Sequence, residues 1–230
     1  INPSNKIGFT IDTYSKDSDI ARASGNLSTG YFNYTKQESD IKQTKNRYIF
    51  SWEHDAIDKT NFVDNLKAKI YYQDYETKDN WNEFQARKFF FGRLLNQDRD
   101  VYSRYKLIDD SYGLDLQLGS NINNHKLTYG LDYSLTSNEY SQDKYTNTNG
   151  TISHTYFGTN YPIKRSPDTD TQRLGLYIQD EVDYGKTEFI YGLRFDNYQL
   201  NASADSTYLD YCQVDSSTCP VADLDASAFT

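Results

Sequence analysis

The sequence predicts an all-β fold: an antiparallel, up-and-down transmembrane β-barrel, of which the chain supplies about seven strands. Three observations predict it. Apolar and polar residues alternate along several segments, as they do in strands with one apolar and one polar face. Aromatic residues make up 16% of the 230 residues, and Tyr and Phe lie near the predicted strand ends, as in the girdles of membrane barrels. The connections between the segments are alternately long and short.

Alternation defines seven strands in order along the chain. Their apolar sides are carried by alternate residues of the segments Ile7–Ile11, Tyr48–Trp52, Leu66–Tyr72, Leu114–Leu118, Leu127–Leu135, Leu174–Tyr184 and Phe189–Phe195. The fifth segment is the most regular, because every apolar residue in it is followed by a small or polar one. This regularity predicts a strand with one face toward lipid or a core and one face toward water.

The last two segments form a predicted hairpin, Arg173–Leu200, which is broken at Gly185-Lys186. Its polar sides carry Arg, Glu, Asp and Gln, which suit a wet lumen. A water-soluble β-sandwich would show the same alternation. Asp180 falls on the apolar side of its strand and Ile190 on the polar side of the next, and the sequence explains neither.

The lengths of the connections favour the membrane barrel over the sandwich. Long polar stretches, which we expect to be loops, cover Ser15–Lys45, Lys78–Asp100, Ser141–Asp170 and the chain from Asn201 onward. Short links lie around Ala56–Asn61, Asn121–Asn124 and Gly185-Lys186. Long structureless loops are uncommon in compact soluble domains. Outer-membrane barrels instead combine short periplasmic turns with longer extracellular loops.

The odd strand number predicts that the barrel is incomplete. Single-chain bacterial barrels have even numbers of strands and closed sheets, whereas about seven strands are predicted here. We therefore expect residues 1–230 to be a segment of the β-barrel domain of a larger protein.

Composition narrows the classes of function. The net charge of −9 comes without a basic stripe, which argues against nucleic acid as a partner. The chain contains no run of about 18 apolar residues, so the sequence predicts no transmembrane helix. No P-loop, paired-glycine fingerprint or HExxH motif is present, so we do not expect an enzyme.

The two cysteines, Cys212 and Cys219, lie in the polar stretch CQVDSSTC. A disulfide between them would close a small loop, stabilise the fold by about 2.5 kcal/mol in the chain-entropy model and indicate an oxidising compartment. The alternative is two free thiols in a surface loop. A zinc site is not predicted, because no second ligand pair accompanies them.

Six blocks of sequence resemble the barrel region of TonB-dependent outer-membrane receptors, especially the haem and haemoglobin receptor group. They are RYIFSWEH (Arg47–His54), LKAKIYYQDY (Leu66–Tyr75), HKLTYGLDY (His125–Tyr133), SPDTDTQRLGLYIQDE (Ser166–Glu181), YGLRFDNY (Tyr191–Tyr198) and VADLDASAF (Val221–Phe229). The resemblance covers nearly the whole chain in the family's order, and the last three blocks are the most specific.

The resemblance implies a 22-stranded barrel in the bacterial cell outer membrane, in contact with its lipid, with a plug domain inside. It implies uptake of haem or iron from host or environmental haemoproteins, with extracellular loops capturing the ligand and energy supplied through TonB, which contacts the plug. Haem would be a transported ligand and not a permanently bound cofactor. The plug domain and the C-terminal strands are absent from residues 1–230. The family's ligand motifs would follow Thr230, so no ligand residue is carried over from them.

The three histidines differ in their predicted positions. His54 and His125 lie at short turns, away from an incoming ligand, and are interpreted as interfacial or turn residues. His154 lies in the long stretch HTYFGTNY, together with Tyr156 and Tyr161. Imidazole and phenolate both ligate haem iron, so these three residues are the candidate ligand-binding set. The alternative is that this Tyr-rich stretch is a contact surface only.

Three other functions remain open at this point. A receptor of the same family for a siderophore or another ligand would differ only in its loops and missing parts. A non-transporting outer-membrane barrel or adhesin would need an even strand count and paired edges. A barrel enzyme would need a Ser/His or Asp/His set at one rim, and His154 has no evident partner for one.

Overall fold

The computed structural model describes residues 4–29, 32–55, 63–87, 98–156 and 159–208. Its strands are β1 (Ser4–Thr29), β2 (Phe32–Asp55), β3 (Asn65–Arg87), β4 (Asp98–Ile122), β5 (His125–Thr148), β6 (Thr151–Ser153), β7 (Thr155–Tyr156), β8 (Thr159–Asn160), β9 (Asp168–Asp183) and β10 (Glu188–Ser203). Within these ranges, no helix is long and apolar enough to cross a membrane.

The seven long strands form one antiparallel sheet in the order β1-β2-β3-β4-β5-β9-β10. Every long strand is therefore hydrogen-bonded to the long strands that precede and follow it in the chain, which is the predicted up-and-down arrangement. In the described part of the chain, β1 and β10 each pair with one long strand only, so the sheet is open. The seven predicted strands and their order are confirmed, whereas the short strands β6, β7 and β8 are not predicted by the sequence.

The register aligns the predicted apolar sides into rows across the sheet. One row runs from β1 to β10 through Ile7, Trp52, Ala68, Leu116, Leu131, Leu176 and Phe195. We call the face that carries this row the apolar face, and the opposite face, which carries Asp132, the polar face. The apolar face is open to the surroundings: Ile7 is 72% exposed and Leu193 is 78% exposed. A continuous exposed apolar belt is what a lipid-facing sheet requires.

The belt ends at a row of tyrosines on the apolar face whose rings are in contact. The ring centroids of Tyr48 and Tyr72 are 6.3 Å apart, and those of Tyr72 and Tyr112 are 4.8 Å apart. The next row on the same face is polar, with Asn46, Asp74 and Asp110 in register. In β5 the belt covers Leu127–Leu135, close to the roughly 9–11 residues that a tilted strand needs to cross a bilayer.

The prediction that the long polar stretches are loops is wrong for much of their length. Strands β1 and β2 pair from Ser4↔Asp55 to Thr29↔Phe32, so most of Ser15–Lys45 is strand. Likewise β3 continues to Arg87 and β5 to Thr148. The reason is that the backbone ladder does not require apolar side chains. Regular alternation ends where the apolar belt ends, and beyond it the strands continue with mostly polar residues on both faces.

The predicted contrast between the connections at the two ends of the sheet is only partly confirmed, because only two residues separate β1 from β2 and nine separate β2 from β3. At one end, which we call the short-turn rim, Asn123-Asn124 join β4 to β5 and residues 184–187 join β9 to β10. At the other end, the long-connection rim, the strands extend beyond the belt and 19 residues, 149–167, separate β5 from β9. His54 and His125 lie at the short-turn rim, where the sequence predicts them.

Candidate functional site

The connection between β5 and β9 folds back along the sheet. It turns at Asn149-Gly150, where both residues have positive φ (51° and 84°), and β6 then pairs with the end of β5. Farther along, Gln142 and Ile163 exchange two backbone hydrogen bonds of 2.9 and 2.8 Å. Ile163 is only 2% exposed. The connection is therefore attached to the edge of β5 beyond Asn138, the last residue of β5 that pairs with β9.

An ion-pair network fixes the return of this connection toward β9. Lys164 Nζ lies 2.5 Å from an Asp168 carboxylate oxygen and 2.7 Å from Asp205. Hydrogen bonds from Lys164 and from the backbone of Tyr208 lower the pKa of Asp205. These contacts hold both ends of the connection against the sheet.

Tyr156, in the middle of the connection, lies against the polar face. Lys144 Nζ is 3.7 Å from the centroid of its ring, and Arg99 Cζ is 5.1 Å from the same centroid. Gln85 Nε2 donates a 3.5 Å hydrogen bond to the Tyr156 hydroxyl. These partners come from β5, β4 and β3, so the ring lies across three strands. Cations over an aromatic face are attracted by its quadrupole.

A buried glutamine organises this cluster. Gln85 is 0% exposed; its Nε2 also donates to Glu83 Oε2 at 2.9 Å, and its Oε1 accepts a 2.8 Å hydrogen bond from Arg99 Nε. A buried amide that uses both its donor and its acceptor side holds its neighbours in one arrangement. The Arg99 guanidinium is therefore oriented by Gln85.

The electrostatics of the cluster are dominated by cations. Burial lowers the pKa of Lys144 first; the charges of Arg99 and Arg165 lower it further, while Glu83 acts in the opposite direction. Two cationic side chains, Lys144 and Arg99, thus contact the Tyr156 ring, and the charges of Arg165 and Glu83 also act on Lys144. Lys144 forms no salt bridge within the part of the chain that the structure describes.

His154 lies on the other side of the sheet from Tyr156. Its Nδ1 is 3.5 Å from Asp143 Oδ1, and its ring centroid is 5.6 Å from that of Tyr145. Asp143 and Tyr145 are on the apolar-face side of β5, because β4 and β5 pair from Ile122 to Arg99 without a register shift. Lys144, next to them in the chain, points to the polar face and contacts Tyr156.

The three candidate ligand-binding residues share one connection, and His154 and Tyr156 lie on opposite sides of the sheet. The backbone N–H of Tyr161 donates a 3.0 Å hydrogen bond to the carbonyl of His154, which closes the small hairpin of β7 and β8. Tyr156 contacts side chains of the polar face. Cys212 and Cys219 lie outside the described residues.

Sequence reasoning missed Gln85, Arg99 and Lys144. These residues lie in polar stretches that were interpreted as loops, and Gln85 is 71 positions away from Tyr156 in the chain. One signal could have found them. If the strand alternation is continued beyond the apolar belt, all three fall on the same side as Asp132, and therefore on the polar face.

At the level of the apolar belt, the polar face carries charged side chains, as the water-filled lumen of a barrel allows. Arg194 Nη2 is 2.8 Å from Asp132 and 2.7 Å from Asp196, and Arg173 is 3.3 Å from Asp196. Glycine is needed where aromatic rings lie flat on this face: a Cβ on Gly113 would overlap the ring of Tyr71. Within the described ranges, no group of three or more His, Cys, Asp or Glu side chains is arranged to hold a metal ion.

The fold and its two faces define a class of protein: a membrane-spanning β-sheet with a lipid-facing apolar belt on one face and charged side chains on the polar face. A family model described as TonB dependent receptor-like, beta-barrel matches residues 1–223. The chain belongs to this family, whose members are receptors and transporters of the bacterial outer membrane, and the resemblance at the level of the family is confirmed. A search of the curated proteins finds no match to the chain.

Proposed function

We propose that this chain is part of a TonB-dependent receptor that takes up haem, or iron from haemoproteins, and captures its ligand at the long-connection rim. The observation that carries the proposal is the position of Tyr156, which lies on the polar face near that rim. In outer-membrane barrels the longer loops are extracellular and the polar side faces the lumen. An incoming ligand would therefore reach Tyr156 before it reached the membrane-spanning belt.

The chemistry of the connection supports haem as the ligand. Phenolate and imidazole both ligate haem iron. Tyr156 carries a phenol and lies on the polar face. His154, on the opposite face, and Tyr161, in the returning segment, would contact a haemoprotein at the surface. The six blocks of sequence that resemble haem and haemoglobin receptors point to the same ligand.

We further propose that residues 1–230 are a segment of a larger barrel, with the plug domain and further strands elsewhere in the protein. Strand β10 supports this, because β9 is its only partner in the described part of the chain. An unpaired strand edge is a site of unwanted pairing between proteins. Additional strands would cover this edge and the edge of β1, and the resemblance implies 22 in all.

A deletion tests the proposed function. In the intact receptor on whole cells, removing Gly150–Tyr161 should weaken the binding of haemin and haemoglobin while the barrel stays inserted. The physical reason is that these residues lie outside the ladder of the seven long strands, so the membrane-spanning belt does not depend on them. Ligand binding and surface expression are measured in parallel, and Ser153→Ala, an exposed position in the same connection, serves as the control.

The results separate the proposal from its nearest alternative. Loss of haemin binding in the deletion and in Tyr156→Ala, with Ser153→Ala unchanged, would support the assignment. If haemin binding persisted in the deletion at equal surface expression, the ligand site would lie elsewhere in the receptor. If the wild-type receptor took up a ferric siderophore and bound no haemin, it would be a siderophore receptor of the same family.

A further inference from the structure

We propose that Lys144 and Arg99, which contact Tyr156 on the polar face, form with Arg165 of the returning connection a binding site for the carboxylate groups of the transported ligand. The choice of ligand rests on the proposed function, whereas the positions of the cationic side chains do not depend on haem being that ligand. The three cations come from β4, β5 and the returning connection. The site lies beyond the apolar belt, on the side of the long-connection rim.

The first argument is the local balance of charge. The whole chain carries a net charge of −9, yet among the described residues the charged groups that act on Lys144 are Arg99, Arg165 and one carboxylate, Glu83. An arrangement of like charges is unfavourable in the absence of an anion. A bound carboxylate would offset the mutual repulsion of Lys144, Arg99 and Arg165.

The second argument is preorganisation. The guanidinium of Arg99 is held by the buried amide of Gln85 through a 2.8 Å hydrogen bond. Lys144 is half-buried, with its ammonium against the ring of Tyr156. Fixed donors bind an anion better than mobile ones, because less side-chain entropy is lost on binding.

The third argument concerns the class of ligand. A guanidinium presents a planar set of donors that matches a carboxylate, and an ammonium adds a point charge. Lys144 and Arg99 both contact the Tyr156 ring, so a flat ligand with carboxylates at its edge would meet the cations and the ring together. Haem, with two propionates, has this chemistry.

The test compares a porphyrin with free carboxylates and one without, on the full-length receptor purified in detergent. Wild-type receptor should bind haemin at least about tenfold more tightly than haemin dimethyl ester, a difference of about 1.4 kcal/mol. Lys144→Gln should weaken haemin binding to the level of the ester and leave ester binding unchanged. Lys144→Arg should retain the preference for haemin.

Lys106→Gln is the matched control. Lys106 also lies beyond the apolar belt, but on the apolar-face side, where it pairs with Glu76 at 3.2 Å, and its loss should change neither affinity. Arg165→Gln, at an exposed position, provides a second variant if Lys144→Gln does not fold. Circular dichroism and heat-modifiable migration on gels establish folding before binding is measured.

A citrate titration at constant ionic strength separates this inference from the haem proposal. If wild-type receptor binds citrate but not haemin, and Lys144→Gln loses citrate binding, the anion site stands and the haem assignment fails. If haemin binds equally to wild type and to both Lys144→Gln and Arg165→Gln, the receptor binds haem and the anion site is wrong. Absence of binding to haemin and to citrate overturns both.

Discussion

At the scale of single residues, Asp180 shows how a carboxylate is accommodated on the apolar face. Its side chain is 7% exposed; Oδ2 accepts a 2.5 Å hydrogen bond from the Tyr191 hydroxyl and lies 2.7 Å from His125 Nδ1. Buried charged groups are tolerated when they are hydrogen-bonded. The partners come from β5 and β10, the two neighbours of β9, so Asp180 links three strands near the short-turn rim.

Replacing this carboxylate tests that role. Asp180→Ala should lower the denaturant midpoint for unfolding of the intact receptor in lipid, because Tyr191 and His125 lose a shared acceptor. Glu188→Gln, an exposed carboxylate at the start of β10, is the control and should leave the midpoint nearly unchanged. Equal midpoints for the two variants would show that the three-strand contact does not stabilise the sheet.

The sequence identified Asp180 as an exception but could not explain it. Its hydrogen-bond partners lie 55 positions before it and 11 positions after it in the chain. Only the register of three strands brings them together. Ile190, the matching exception on the polar side of β10, is exposed, and nothing in the structure explains it. Lys144 and Arg99 could not be identified from the sequence for a similar reason. Their shared partner Tyr156 lies in the connection between β5 and β9, whose position hydropathy alternation does not predict.

At the scale of the strand, alternation predicts where a strand crosses the apolar belt but not where the strand ends. All seven long strands were predicted, because each has alternating apolar residues in the belt. Their extensions are not predicted because, beyond Tyr48, Tyr72 and Tyr112, polar residues predominate on both faces and apolar residues no longer alternate regularly. The backbone hydrogen bonds continue regardless, as the pairing of β1 with β2 shows.

The orientation of β5 gives a prediction about neighbouring residues. Leu131 lies in the middle of the belt, whereas Asp132 points to the polar face and pairs with Arg194. In the intact receptor, Leu131→Arg should cost about 2–4 kcal/mol if the residue lies at the bilayer midplane. Asp132→Asn should cost much less, because exposed ion pairs add little stability. Folding titrations in lipid vesicles measure both, and the reverse ranking would mean that the two faces are assigned the wrong way round.

At the scale of the whole molecule, the strand register aligns the apolar residues of the seven long strands, so that together they form one continuous apolar surface. Because apolar residues occupy the same level on every strand, the belt is continuous from β1 to β10. On the opposite face, the same register brings Arg173, Arg194 and Asp132 together. A sheet with one lipid-facing and one charged face explains how a chain with 37% hydrophobic residues can belong to a membrane-protein family.

The central claim is that this sheet spans the outer membrane with its long-connection rim at the cell surface. Single cysteines at two exposed positions test it: Thr151→Cys at the long-connection rim and Lys186→Cys at the short-turn rim. Both are placed in the full receptor after Cys212 and Cys219 have been replaced by serine. A membrane-impermeant maleimide is applied to intact cells and to permeabilised cells, and labelling of the receptor is measured.

The account predicts that Thr151→Cys is labelled on intact cells and that Lys186→Cys is labelled only after the outer membrane has been permeabilised. The physical reason is that the apolar belt, about nine residues long in β5, separates the two positions by the thickness of a bilayer. Labelling of Lys186→Cys on intact cells, or of Thr151→Cys only after permeabilisation, would contradict it.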